Sequence, residues 1–158
     1  MGGVERDMLT PPTVAVIGGG QLARMMQESA IALGINLRAL VEAEDGSTGL
    51  VTVDKAVGAP KDLDAVRALI DGADVLTFEH EHIPAQTMEE AARVVSVQPP
   101  ASALLYAQDK LQMRARLSEM GIPCPAWARV DNAAELERFG AVIGWPLIVK
   151  TPRGGYDG

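Results

Sequence analysis

Residues Thr13 to Gly34 read TVAVIGGGQLARMMQESAIALG, and this stretch decides the fold. Thr13 to Ile17 is a short apolar, β-branched run bounded by proline and glycine, the pattern of a buried strand. Gly18-Gly-Gly20 ends it. An apolar stripe at helical spacing follows through Leu22, Met25, Met26, Ser29, Ala30 and Leu33, with Gly34 as the stop. The alternation continues outward. Asn36 to Val41 reads as a strand, residues 42–50 as an acidic loop, and residues 51–57 contain a further short strand. Asp62 caps a helix that Gly72 ends, Asp74 to Phe78 is a strand, Pro84 opens a helix through Arg93, and Val94 to Pro99 is the last strand. Strands alternating with helices imply a parallel, Rossmann-like α/β sheet with right-handed crossovers. Ligands in such sheets lie beyond the carboxyl ends of the strands. The glycine turn and the cluster Glu79-His-Glu-His82 are both expected on that edge.

The pattern changes after Gln98-Pro-Pro100, where a domain boundary is expected. Asp109 to Met120 reads as a helix closed by Gly121, and Ile122 to Val130 as a proline-bounded extended stretch. Asn132 to Gly144 is a second helix, and Pro146 to Val149 a strand ending on Lys150. The expected organisation is a flexible arm over 1–12, with Met8 as an alternative start, an α/β domain over 13–100, and a helical connection with the beginning of a second, α+β subdomain over 101–158.

Bulk composition narrows the function classes. About half the residues are apolar (47%), enough for a sizeable core. The formal charge of −7 argues against nucleic acid or an anionic membrane as partner. No run approaches the roughly 20 apolar residues of a membrane span, and the polar amino-terminal stretch does not read as a signal peptide. The single cysteine, Cys124, permits no disulfide within the chain, which fits a cytoplasmic protein.

Four motifs carry chemistry. Gly18, Gly20 and Ala23 fit G-x-G-x-x-G/A, whose helix start can receive a phosphate, with Glu42 or Glu44 placed to hold a ribose. A tight strand-to-helix turn explains the same glycines. Gln21 adds an amide at the helix mouth. Glu79, His80, Glu81 and His82 offer metal-binding types, but Pro84 soon ends the segment. Carboxylates there can instead accept hydrogen bonds from ribose hydroxyls or cap the next helix. Lys110 sits in a first helical turn, against the dipole preference, which suggests an external anion. Lys150 ends a strand and precedes Arg153-Gly-Gly155-Tyr-Asp157. A lysine beside flexible glycines can hold polyphosphate, and an exposed hairpin tip is the plain alternative. This is not the P-loop pattern, because the lysine precedes the glycines.

Taken in order and spacing, GGGQLARM, FEHEHIP, AQDK, GIPCP and VKTPRGGYDG resemble the ATP-grasp family, and within it the branch that carboxylates a purine-precursor ribonucleotide. The resemblance implies a pre-ATP-grasp domain followed by the start of the ATP-grasp lid subdomain. It implies a carbon–nitrogen ligase that uses ATP, bicarbonate and 5-aminoimidazole ribonucleotide to give N5-carboxyaminoimidazole ribonucleotide, ADP and phosphate in de novo purine biosynthesis. By resemblance Lys110, Lys150, Gly154 and Gly155 contact ATP. Gln21, Leu22, Glu79, His80, Glu81, Tyr156 and Asp157 line the ribonucleotide side. The magnesium ligands are expected outside this chain, which alone is expected to be inactive, and the full-length enzyme is expected to be a homodimer. The competing class is an NAD(P)-binding module of a dehydrogenase or redox sensor, resting on the glycine turn. A non-catalytic interaction module is a third reading.

Overall fold

The computed structural model describes residues 10–154. The chain divides into two compact units, one up to Ala101 and one from Ser102 onward.

In the first unit, β1 (Thr13–Ile17), β2 (Asn36–Val41), β3 (Asp54–Val57), β4 (Val75–Phe78) and β5 (Ser96–Val97) alternate with α1 (Gln21–Leu33), α2 (Leu63–Ile70) and α3 (Ala85–Ala91). The strands form one sheet in the order β3-β2-β1-β4-β5. Every pairing is parallel, with Ile17 opposite Leu40 on one side and Phe78 on the other. The chain first builds outward from β1 to β3 and then crosses to the other side of β1. The switch point therefore lies between β1 and β4, where Gly18 and Glu79 emerge side by side.

Period-two alternation places the core on both faces. Leu37, Ala39 and Val41 of β2 join Val16 and the α1 residues Ala23 and Ala30 in one buried cluster. The intervening Arg38 reaches the other face, where its guanidinium donates to the Leu69 and Asp71 carbonyls at the end of α2. Asp62 caps α2 through the Asp64 and Ala65 amides, as its position predicts.

One sequence expectation for α1 is corrected. Its buried residues are Ala23 and Ala30, whereas Leu22, Met25 and Leu33 are exposed. The tight glycine turn brings α1 close to the sheet, so Ala23 and Ala30 make the contact with Met26 packed partly buried beside them.

The second unit contains α4 (Ala101–Gln108) from its second residue on, α5 (Lys110–Glu119) and α6 (Ala133–Ile143). Asp109 caps α5 and Asn132 caps α6. Trp145 folds back on α6, where a Cβ on Gly140 would meet its indole at 2.4 Å. The strand expected over Pro146 to Val149 does not form, and the described residues after Val97 contain none. A strand needs a partner for its backbone groups. None runs beside this segment in the described residues, and Ile148 is 81% exposed.

Candidate functional site

The carboxyl edge of the sheet holds the first constellation. Glu79 follows β4 directly, and its amide donates to the Ile17 carbonyl at 3.3 Å, extending the ladder by one residue. This brings its side chain into the turn between β1 and α1. Glu79 Oε1 accepts from the Gly20 amide at 2.9 Å, and Oε2 accepts from the Ala23 amide. Gly18 has φ +149°, and a Cβ there would lie 2.1 Å from Glu79 Cγ. A Cβ on Gly20 would be 3.1 Å from Glu79 Oε1. The glycines thus make room for a carboxylate of the chain itself. That carboxylate occupies the helix start, where amides and dipole favour an anion.

The acidic loop after β2 closes over the same turn. The Thr48 amide donates to the Gly19 carbonyl at 3.1 Å, and its buried hydroxyl donates to the Gly20 carbonyl at 2.7 Å. Arg24 donates to the Ser47 carbonyl at 2.9 Å, and the Ser47 hydroxyl donates to Gln21 Oε1 at 3.2 Å. Thr48 and Ser47 had no sequence signal beyond a polar loop. Their role depends on a contact between segments some 28 residues apart. Gln21 and Leu22 are exposed at the helix mouth, so both remain accessible to a ligand.

Beyond Glu79 the cluster diverges. The His82 amide donates to His80 Nδ1 at 3.1 Å, with the rings 5.9 Å apart, and Glu81 lies 3.6 Å from His82 Nε2. Ile83, 1% exposed, anchors the segment in the core. No group of three or more histidine, cysteine or acidic side chains is arranged to hold a metal among the described residues.

The second constellation lies in the second unit. The segment after Lys150 returns to the start of α5. The Lys110 amide donates to the Pro152 carbonyl at 2.9 Å, and Lys110 Nζ donates to the Gly154 carbonyl at 2.7 Å. Gly154 has φ +72°, the left-handed conformation that glycine adopts readily. Arg153 Nε donates to Asp109 Oδ2 at 3.1 Å, while Asp109 Oδ1 accepts from the Leu111 and Gln112 amides. The Gln112 amide, with Arg153 and the Leu111 amide, holds the Asp109 carboxyl below its ordinary value against the opposing effect of desolvation. The structure therefore joins Lys110 and Gly154, both expected to contact phosphate, and ties the helix cap Asp109 to Arg153, a pairing across 44 residues that the sequence did not signal. Lys150 is exposed. Gly155, Tyr156 and Asp157 lie outside the described residues.

Residues 12–108 match the family model of the ribonucleotide synthetase preATP-grasp domain. The chain is 48% identical over 148 residues to N5-carboxyaminoimidazole ribonucleotide synthase of Mycobacterium tuberculosis, covering 93% of this chain and 34% of that enzyme. It thus spans about a third of the length of that curated relative. Among solved structures, it is similar to N5-carboxyaminoimidazole synthetase of Staphylococcus aureus complexed with ADP, with TM-score 0.83, 30% identity, and 92% of this chain and 39% of that chain covered. It also resembles the Aspergillus clavatus N5-carboxyaminoimidazole synthase in complex with ADP and 5-aminoimidazole ribonucleotide. There the TM-score is 0.78 at 34% identity, over 88% of this chain and 38% of that chain.

Proposed function

The chain belongs to the ribonucleotide synthetase preATP-grasp family, and from that premise we propose that it forms part of an ATP-dependent ligase that carboxylates 5-aminoimidazole ribonucleotide with bicarbonate. The products are N5-carboxyaminoimidazole ribonucleotide, ADP and phosphate. In this reading a bicarbonate oxygen attacks the γ-phosphorus of ATP, and ADP leaves. The amine of the ribonucleotide then attacks the carbon of the mixed anhydride, losing a proton as phosphate departs. Such chemistry rests on positioning and charge stabilisation, and on keeping water from a labile intermediate.

The observation that carries the nucleotide half is the 2.7 Å bond from Lys110 to the Gly154 carbonyl. It sets an ammonium against a glycine loop, a donor set suited to polyphosphate. Lys110, Lys150, Gly154 and Gly155 are proposed to hold ATP. Gln21, Leu22, Glu79, His80, Glu81, Tyr156 and Asp157 are proposed for the ribonucleotide side. Glu79 serves there chiefly by fixing the turn that presents Gln21, since both its oxygens already accept from amides. Magnesium is proposed to be held by residues outside this chain, and the complete enzyme to be a homodimer.

The dinucleotide reading is disfavoured by the same turn. Its pyrophosphate would need the place that the Glu79 carboxylate occupies, and like charges there repel. Calorimetric titration of the chain with ADP and with NADH separates the two. ADP binding without NADH binding is expected. NADH binding without ADP binding would overturn the proposal.

A further inference from the structure

Three contacts among the described residues join 109–110 to 152–154. One is a backbone bond, one is a lysine–carbonyl bond, and one is an ion pair. Two of them, the lysine–carbonyl bond and the ion pair, each bridge 44 residues of sequence through polar groups. Asp109 is the hub. One of its oxygens caps α5 and the other takes Arg153, and its side chain is only 14% exposed against 62% for Arg153.

We propose that Asp109 and Arg153 are positioning residues whose ion pair latches the segment 152–154 onto the start of α5, and that nucleotide phosphate releases the latch by drawing Lys110 away from the Gly154 carbonyl. The release step rests on the nucleotide-binding reading above, while the latch itself does not. The physical reason for release is a difference in acceptors. A carbonyl offers the ammonium a neutral acceptor, and a phosphate offers a charged one, which makes roughly twice as strong a bond. The reason for a latch is entropic. A glycine-containing segment left without partners samples many conformations, and a bound nucleotide would have to order all of them. Three contacts hold the backbone close to Lys110 in advance.

The geometry supplies its own reporter. The Lys110 amide is bonded to the Pro152 carbonyl, so its exchange with solvent depends on the returned loop. The Leu111 and Gln112 amides are bonded to Asp109 Oδ1, so their exchange depends on the cap. Asp109→Asn separates the two functions, because asparagine caps about as well as aspartate but forms no ion pair. Arg153→Gln removes the pair and leaves the cap untouched. Residue-resolved hydrogen exchange on the 158-residue chain and both variants is the test. The expected result is Lys110 exchange faster by about three- to fivefold in each variant, the range for a partly exposed ion pair. Leu111 and Gln112 should keep their wild-type rates, and Arg153→Lys should restore most of the protection. Unchanged Lys110 exchange in Arg153→Gln would overturn the latch, whatever happens to Asp109→Asn. Addition of ADP then tests release. Expected are loss of Lys110 amide protection and a shifted Gly154 amide signal in the wild type. ADP that binds without either change would overturn release alone. Failure of ADP to bind would overturn release together with the nucleotide reading, leaving the latch to the exchange result.

Discussion

Glu79→Ala should destabilise the first unit by about 2–3 kcal/mol, from the loss of the acceptor for the Ala23 amide and of the negative charge at the start of α1. The two hydrogen bonds of Glu79 are not equivalent. Gly20 is exposed, so water can replace the carboxylate there at little cost. Ala23 is fully buried, and its amide has no such substitute. A buried donor left without an acceptor costs about 1–3 kcal/mol, and a favourable charge at a helix start contributes about 0.3–1 kcal/mol more. Glu79→Gln keeps the size and one carbonyl acceptor, so it should lose about half as much. Both tryptophans, Trp127 and Trp145, lie in the second unit, so fluorescence would report the wrong region. Urea unfolding should be followed by far-UV circular dichroism, with an unchanged denaturant slope, and paired with exchange of the Ala23 amide. A loss below about 0.5 kcal/mol, with the Ala23 amide protected as in the wild type, would refute the idea that Glu79 serves as the internal anion of this turn.

Gly18→Ala should prove harder to tolerate than an ordinary turn substitution, because its Cβ would fall 2.1 Å from Glu79 Cγ. Pairing it with Glu79→Ala should recover part of the loss, and strict additivity in a double-mutant cycle would count against the contact. Lys150→Met should lower ADP affinity about ten- to a hundredfold, the value of one charge-assisted contact, with no change in unfolding midpoint. Unchanged affinity would make Lys150 a bystander. The Asp109 carboxyl is held below the ordinary value, so its cap and ion pair contribute stability that is complete above about pH 4 and is lost as pH falls through its folded-state value. A carboxyl carbon titration by NMR with a midpoint at or above about 4 would contradict this.

What the sequence reveals and what it hides divide along sequence distance. The caps Asp62, Asp109 and Asn132 bond amides two or three residues away, so their role can be read from neighbours alone. The parallel sheet is legible for a related reason. Each strand–turn–helix unit announces itself locally, and right-handed crossover rules supply the rest. The strand expected over Pro146 to Val149 fails because strand character is not local. Its apolar run is a permission to pair, and no partner stands beside it among the described residues. The glycine turn shows the deepest limit. Gly18, Gly20 and Ala23 satisfy a pattern that usually receives a phosphate, and nothing within the pattern says otherwise. The answer lies 59 residues on, in a glutamate whose place beside the turn is fixed only once β4 pairs with β1. A motif of this kind specifies a cradle for an anion, and the rest of the chain decides whose anion it is. Here the fold supplies its own, and the carboxylate of Glu79 fills the cradle between Gly20 and Ala23.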